Sequence, residues 1–226
     1  MVFESKSLNI IEERQEVITE IERAIFTKRY ELTSKHFTIL SINSISMLYS
    51  IWEGFIQKLF GLYIDEVNKE ENELFSLCDN LIIFCKERSF RQLKEYPKKN
   101  QQKISFIKKL KIFYSNNVHL IPRVVDTQSN IGFEILNKLL EQFNLETYPE
   151  HWESYKYPNP NLRENLTLFL KLRNTIAHGG ELLPEESVNH KTYERFKKLL
   201  LDLMYDLRNK MLDSLRNKKY KNSSEL

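Results

Sequence analysis

Residues Ser34 to Val67 read SKHFTILSINSISMLYSIWEGFIQKLFGLYIDEV. Within them Phe37, Leu40, Ile45, Leu48, Trp52, Phe55, Leu59, Tyr63 and Val67 recur in steps of three to five. That is the spacing of one face of an α-helix. Thr33 or Ser34 stands where an N-cap belongs. Gly54 and Gly61 each lower helix propensity by about 1 kcal/mol, and a glycine tolerated inside a helix hints at close approach of another backbone.

The helical period continues on both sides. Leu8, Ile11, Val17, Ile18, Ile21 and Ile25 predict a first helix from about Ser7 to Glu31. Asp65 to Glu73 reads as an acidic surface turn. A third helical stretch, about Glu73 to Tyr96, ends at Pro97, and a lysine-rich helix follows over about Gln101 to Tyr114. A loop, Ser115 to Asn130, leads to a short helix over Gly132 to Asn144. Tyr148 to Pro160 reads as an ordered, proline-rich loop. A helix over Asn161 to His178 stops at Gly179-Gly180, and the last helix covers about Glu186 to Lys218. The predicted fold is all-α. The first, second and last two long helices form a bundle within one domain spanning residues 1–226. Residues 72–130 form a helical insertion or side lobe, and residues 219–226 a frayed tail.

Composition excludes several alternatives. The chain has 226 residues, 41% apolar and 29% charged, with only 5 Gly and 6 Pro. So few turn formers argue against a β-sandwich or barrel, and the glycine count argues against a Rossmann or P-loop site. No run approaches about 18 consecutive apolar residues, so no membrane span is expected. The N-terminal segment turns charged before a signal peptide could form, so the expected location is the cytoplasm. Cys78 and Cys85 lie about 10 Å apart along a helix, too far for a disulfide, and read as reduced core thiols. They have no neighbouring partners for zinc. The net charge of +3 permits a nucleic-acid partner without requiring one.

One stretch carries chemistry: Leu172-Arg173-Asn174-Thr175-Ile176-Ala177-His178-Gly179-Gly180. At about 100° per residue, Asn174 and His178 share a face one turn apart, while Arg173 lies about 140° from His178. One helix therefore does not gather all three around a point, whereas two copies crossing at a two-fold axis do. The set suits phosphoryl transfer on RNA. Histidine moves a proton near neutral pH. Arginine forks onto phosphate and stabilises charge on a phosphorane. Asparagine orients the phosphate or the histidine. RNA brings its own 2′-OH nucleophile, so the cut needs no metal, and no Asp/Glu cluster at metal spacing or cofactor motif appears. The plainer reading is that Arg173 and His178 complement the helix dipole and bond its last carbonyls.

The motif Leu-Arg-Asn-Thr-Ile-Ala-His-Gly resembles the signature of the HEPN superfamily, all-α domains whose Arg-x4–6-His motif ends a core helix. Met47 to Ile56, with Tyr49, Trp52, Glu53, Gly54 and Phe55, resembles the Tyr-x-x-Trp-Glu-Gly-Phe helix of one bacterial branch. Ser129-Asn130-Ile131 before a short apolar helix fits that branch too. The likeness runs from the second helix to the last and leaves Asn72 to Asn116 unaccounted for. It implies a metal-independent endoribonuclease, a toxin or antiphage defence effector, that dimerises so that two motifs form one cleft. Carried over by position, Arg173 and His178 are the catalytic pair and Asn174 the polar residue after the arginine. The implied products end in a 2′,3′-cyclic phosphate and a 5′-OH. An antitoxin or defence-system protein is a further implied partner. HEPN toxins paired with a nucleotidyltransferase antitoxin often carry a tyrosine two residues after the histidine. Here that position is Gly180, which argues against regulation by that route. The alternative is a catalytically silent HEPN domain that binds nucleotides or a partner protein.

Other residues complete the expected site. Tyr49, Trp52 and Glu53 lie a turn apart on the second helix, with Trp52 expected in the core and Glu53 expected to hold Arg173 or His178. Lys103, Lys108, Lys109 and Lys111, interleaved with Phe106, Phe113 and Tyr114, read as an RNA-backbone surface, or as a solvated helix face.

Overall fold

In a computed structural model the described residues are 2–222, except 94, 117–119, 154, 156–160 and 180–187. Among them the regular elements are α1 (Val2–Phe26), α2 (Ser34–Asn68), α3 (Asp79–Ser89), α4 (Asn100–Ser115), α5 (Phe133–Gln142), α6 (Leu162–Ala177) and α7 (His190–Arg216), with 3₁₀ turns at Leu74–Ser76 and Arg91–Leu93. The fold is all-α, as the periodicity predicts.

α2 is the axis of the bundle. It packs against α1, α6 and α7 and buries Leu48, Trp52, Phe55, Leu59 and Tyr63 completely or nearly so. By length and composition α2 would also suit a membrane span, but its apolar stripe is used inside the bundle. Thr33 caps it, its Oγ1 accepting from the His36 N–H at 3.3 Å. Two buried hydroxyl contacts fix the neighbours: Tyr63 Oη with Ser214 Oγ at 2.8 Å, and Tyr193 Oη donating to the Ile18 carbonyl at 2.7 Å. Gly54 and Gly61 do not admit another backbone. A β-carbon at Gly61 would meet the Arg123 side chain at 3.3 Å, and one at Gly54 only Arg14 Nη2 at 3.9 Å.

Several boundaries differ from the sequence reading. α1 begins near Val2 because Phe3 is buried edge-on to Tyr63, with ring centroids 6.4 Å apart. α2 absorbs Asp65 and Glu66 instead of turning there. The predicted third helix breaks at Leu77–Cys78, where the chain pairs with the C-terminal segment: the Cys78 N–H donates to the Tyr220 carbonyl at 2.9 Å and the Asn222 N–H to the Ser76 carbonyl at 2.9 Å. Residues 219–222 therefore do not fray. Tyr220 is buried, and its ring supplies the burial that an otherwise polar tail lacks. Residues 223–226 lie outside the described residues. α7 starts at His190 because Asn189 caps it, its Oδ1 accepting from the Thr192 N–H at 3.0 Å. Burial pushes the Cys85 thiol up to about 12, which keeps it protonated and unreactive.

Within residues 72–130 two parts behave differently. Leu77, Leu81, Phe84 and Cys85 join the main core, and α3 packs on α5. α4 buries only Phe106. The segment after it, residues 120–132, is an extended strap laid antiparallel on α2. Asn68 Nδ2 donates to the Ile121 carbonyl at 3.0 Å, and its Oδ1 accepts from the Ile121 N–H at 2.8 Å. Arg123 pairs with Asp65 at 3.1 Å. Thr127 meets Gln57 and Glu53, and the Ile131 N–H meets Tyr49. From Asn68 back to Tyr49 the helix rises about 28 Å, while the strap from Ile121 to Ile131 can span at most about 36 Å. The strap thus has the reach to run along this length of α2 with a turn near its end. Asn68→Ala leaves the buried Ile121 backbone unpaired at both groups and is expected to cost about 1–3 kcal/mol, read as a lower denaturation midpoint with an unchanged denaturant slope.

Candidate active site at the end of helix six

α6 is positioned by its own caps. The Asn161 side chain accepts from the Glu164 N–H at 3.0 Å, and Leu162, Leu166, Phe169 and Leu172 are buried against the bundle. At the other end the His178 N–H donates to the Asn174 carbonyl at 3.1 Å, and Gly179 turns left-handed at φ 68°, a conformation glycine adopts without strain. This stop leaves His178 exposed as the C-cap of the rod. Among the described residues its imidazole has no hydrogen-bond partner.

Arg173 is held on three sides. Its Nη1 donates to Asn174 Oδ1 at 2.6 Å and its Nη2 to the Ser129 carbonyl at 2.9 Å. The guanidinium carbon lies 4.0 Å from the centre of the Tyr49 ring, a close cation–π contact. Asn174 Nδ2 in turn reaches Asn130 Oδ1 at 3.4 Å. A guanidinium has five N–H donors, so three remain for an anion. Arg173 and Asn174 thus form one unit with the strap and α2, and His178 follows one turn after Asn174.

Tyr49 is the keystone beneath. Its ring is buried and its hydroxyl oxygen accepts from the buried Ile131 N–H at 2.9 Å. Burial raises the phenol above its ordinary value, the Ile131 bond and the Arg173 charge oppose that, and the Glu53 charge adds to it; Tyr49 stays neutral. Glu53 does not hold Arg173 or His178. Its Oε1 accepts from Thr127 Oγ1 at 2.6 Å, because the strap covers that face of α2 first. Trp52 is fully buried, 6.1 Å from Phe55 in a stacked pair.

The strap turns beside the site. Gln128 and Ser129 have φ of 49° and 50°, and the Asn130 N–H donates to the Thr127 carbonyl at 3.1 Å. This is the pattern of a type I′ turn, normally built from Asn and Gly. Two side-chain-bearing residues in the left-handed region store strain where the arginine is held. Ser129→Gly is expected to stabilise the protein by roughly 0.5–1 kcal/mol, relief of strain exceeding the entropy of the freer unfolded chain. A thermal melt that moves down instead would refute the strained turn. Ser129, Asn130 and Thr127 had no assigned role in the sequence reading; the Ser129-Asn130-Ile131 run was their only signal.

The lysine surface is arranged differently from the expectation. Phe106 and Phe113 turn inward onto Phe90, with ring centroids 5.9 and 5.2 Å away, because they share a helix face. Lys108, Lys109 and Lys111 are exposed, and Lys103 Nζ lies 5.5 Å from the Tyr96 ring. Exposed Ile104, Ile107 and Ile112, not phenylalanines, stand beside them. Gly180 lies outside the described residues. Among the described residues, Glu22, His190 and Glu194 bring three potential metal-ligand atoms within 4.8 Å of one another. The other oxygen of Glu22 is taken by Lys197, so the group closes as an ion-pair network joining α1 to α7.

A family model described as HEPN_MAE_28990-like HEPN fits residues 3–220. No curated protein and no solved structure matches the chain.

Proposed function

The chain belongs to the HEPN_MAE_28990-like HEPN family, and from that premise we propose that it is a metal-independent endoribonuclease working as a homodimer. HEPN domains are often ribonucleases or parts of defence systems. The observation that carries the reading is the division of the motif: Arg173 fixed by Asn174, Ser129 and Tyr49 with three donors spare, and His178 exposed and unpartnered at the end of the same helix. An arginine held in plane serves a developing negative charge without reorganising, and a free imidazole serves proton transfer.

In the proposed reaction a histidine takes the proton of the RNA 2′-OH. O2′ then attacks the adjacent phosphorus, and the P–O5′ bond breaks. A protonated histidine gives its proton to O5′, so the products carry a 2′,3′-cyclic phosphate and a 5′-OH. Arg173 holds the non-bridging oxygens as charge builds, and Asn174 fixes Arg173. A single chain offers one histidine in the motif, so the two histidines would be His178 and its copy in the second subunit, brought together at a two-fold axis. The exposed lysines of α4 would bind RNA backbone. The biological role that fits such a cutter is a toxin or antiphage effector.

The experiment is cleavage of end-labelled single-stranded RNA in EDTA, with product ends analysed and the mass of the particle measured. Cyclic phosphate ends and a dimer are expected. A requirement for Mg²⁺, or a strict monomer that cuts, would overturn the mechanism. A silent domain that binds nucleotides or a partner protein is the second reading. It draws on the same hydrogen bonds, since two of the Arg173 donors are already spent within the chain, and it predicts no turnover.

A further inference from the structure

Between α3, α5 and the strap lies a cleft of about 550 Å³. Phe84, Ile135 and Leu139 contribute apolar surface to it. Five charges line it: Glu87, Glu95 and Asp126 against Arg88 and Lys138, with the amides of Gln128 and Gln142 among them. Elsewhere on this molecule Arg163 pairs with Glu134 and Glu150, and Lys210 with Glu146. Among the described residues none of these five is in an ion pair. Arg88 lies over the Phe84 ring at 5.6 Å, and Asp126 accepts only from the Gln128 N–H of its own turn, at 3.1 Å. Three carboxylates against two cations disfavour a bare phosphate. The lining suits a flat ligand that offers adjacent N–H donors to a carboxylate, a carbonyl or ring nitrogen to a cation, and an apolar face to hydrocarbon. Guanine has that pattern, with N1–H and N2–H₂ on one side and O6 and N7 on the other.

The cleft is joined to the candidate active site by covalent chain. Gln128 lines the cleft, and Ser129, the next residue with its Cα about 3.8 Å away, accepts from Arg173. We propose that this cleft is a base-reading subsite that takes a guanine adjacent to the scissile phosphate and so sets where the enzyme cuts. This inference rests on the RNA-cleaving reading above and extends it to sequence preference.

The test uses the full chain and a panel of short single-stranded RNAs that differ only in having guanine or another base at each position. The wild type is expected to favour cuts beside guanine about tenfold, the range one well-formed base contact supplies. The Glu87→Gln/Lys138→Met double variant changes two exposed side chains that no described bond uses. It should cut all sequences at the rate of the disfavoured ones, with its melting curve unchanged. No guanine preference in the wild type, or one that survives in the variant, overturns the subsite. If the wild type cuts nothing, the cleavage reading fails on its own, and binding of uncleavable 2′-fluoro RNA decides the cleft. Guanine-dependent binding lost in the variant supports it, and guanine-independent binding overturns it. Guanosine 5′-monophosphate competing as strongly as the oligonucleotide would assign the base site to a free nucleotide and overturn its role on RNA.

Discussion

His178→Ala protein is expected to lose RNA cleavage by about 10²–10⁴-fold, the contribution of a positioned general acid or base, with no change in thermal stability. The second half of that expectation follows from the structure: the imidazole is exposed at the end of α6 and has no described partner, and surface changes of that kind stay within about 0.5 kcal/mol. The helix stop survives too, because it is made by the His178 main-chain N–H and by Gly179, both kept in the variant. Arg173→Lys offers the complementary result. It keeps the charge but loses the planar fork, so cleavage should fall by about 10²–10³-fold. Mixing the His178→Ala protein with wild type tests the shared cleft. If one cleft needs both histidines, mixed dimers are as inactive as the variant alone, and an excess of the variant depresses activity below the wild-type share. Full activity of His178→Ala would end the proposed mechanism, since the motif holds no other histidine.

The readings that held are those carried by local rules. The α2 stripe at helical spacing, the cap at Thr33 and the Gly179 stop are each set by a few neighbouring residues, and each is where the sequence places it. What the sequence did not reveal is non-local. Glu53 looked like a partner for Arg173 or His178, but its Oε1 accepts from Thr127 Oγ1, and nothing in a stripe of α2 announces a strap arriving from 74 residues away. The strap itself read as loop because it makes its bonds to side chains of α2, not to a ladder of its own, so it leaves neither a period of 3.6 nor a strand partner. Residues 219–222 looked frayed because their composition is polar, whereas one buried ring, Tyr220, and two main-chain hydrogen bonds fix them. The Phe106 and Phe113 rings were read by adjacency to lysines when their seven-residue spacing already put them on one inward face.

The same strap makes Tyr49 the most sensitive position outside the motif. Its ring carries the Arg173 guanidinium at 4.0 Å, and its hydroxyl is the acceptor for the buried Ile131 N–H. These two duties separate by substitution. Tyr49→Phe keeps the ring and removes the acceptor, leaving a buried N–H unsatisfied, and should cost about 1–3 kcal/mol with kcat per folded molecule nearly preserved. Tyr49→Ala removes both and opens a cavity beside Phe169, whose ring centroid is 6.1 Å away. By analogy with other aromatic truncations it should cost about 3–5 kcal/mol. Arg173 then loses the surface that fixes its plane, so kcat should fall further than the folded fraction does, with KM changed less. Denaturant titration gives the folded fraction and steady-state cleavage at low temperature gives the rest. If both variants lose activity only in proportion to unfolding, Tyr49 is a core residue that happens to touch the arginine. If the phenylalanine restores what the alanine loses beyond unfolding, the aromatic face positions Arg173, and the strap, by seating Ile131 on that same tyrosine and the Ser129 carbonyl on that same guanidinium, is part of the apparatus that aims it.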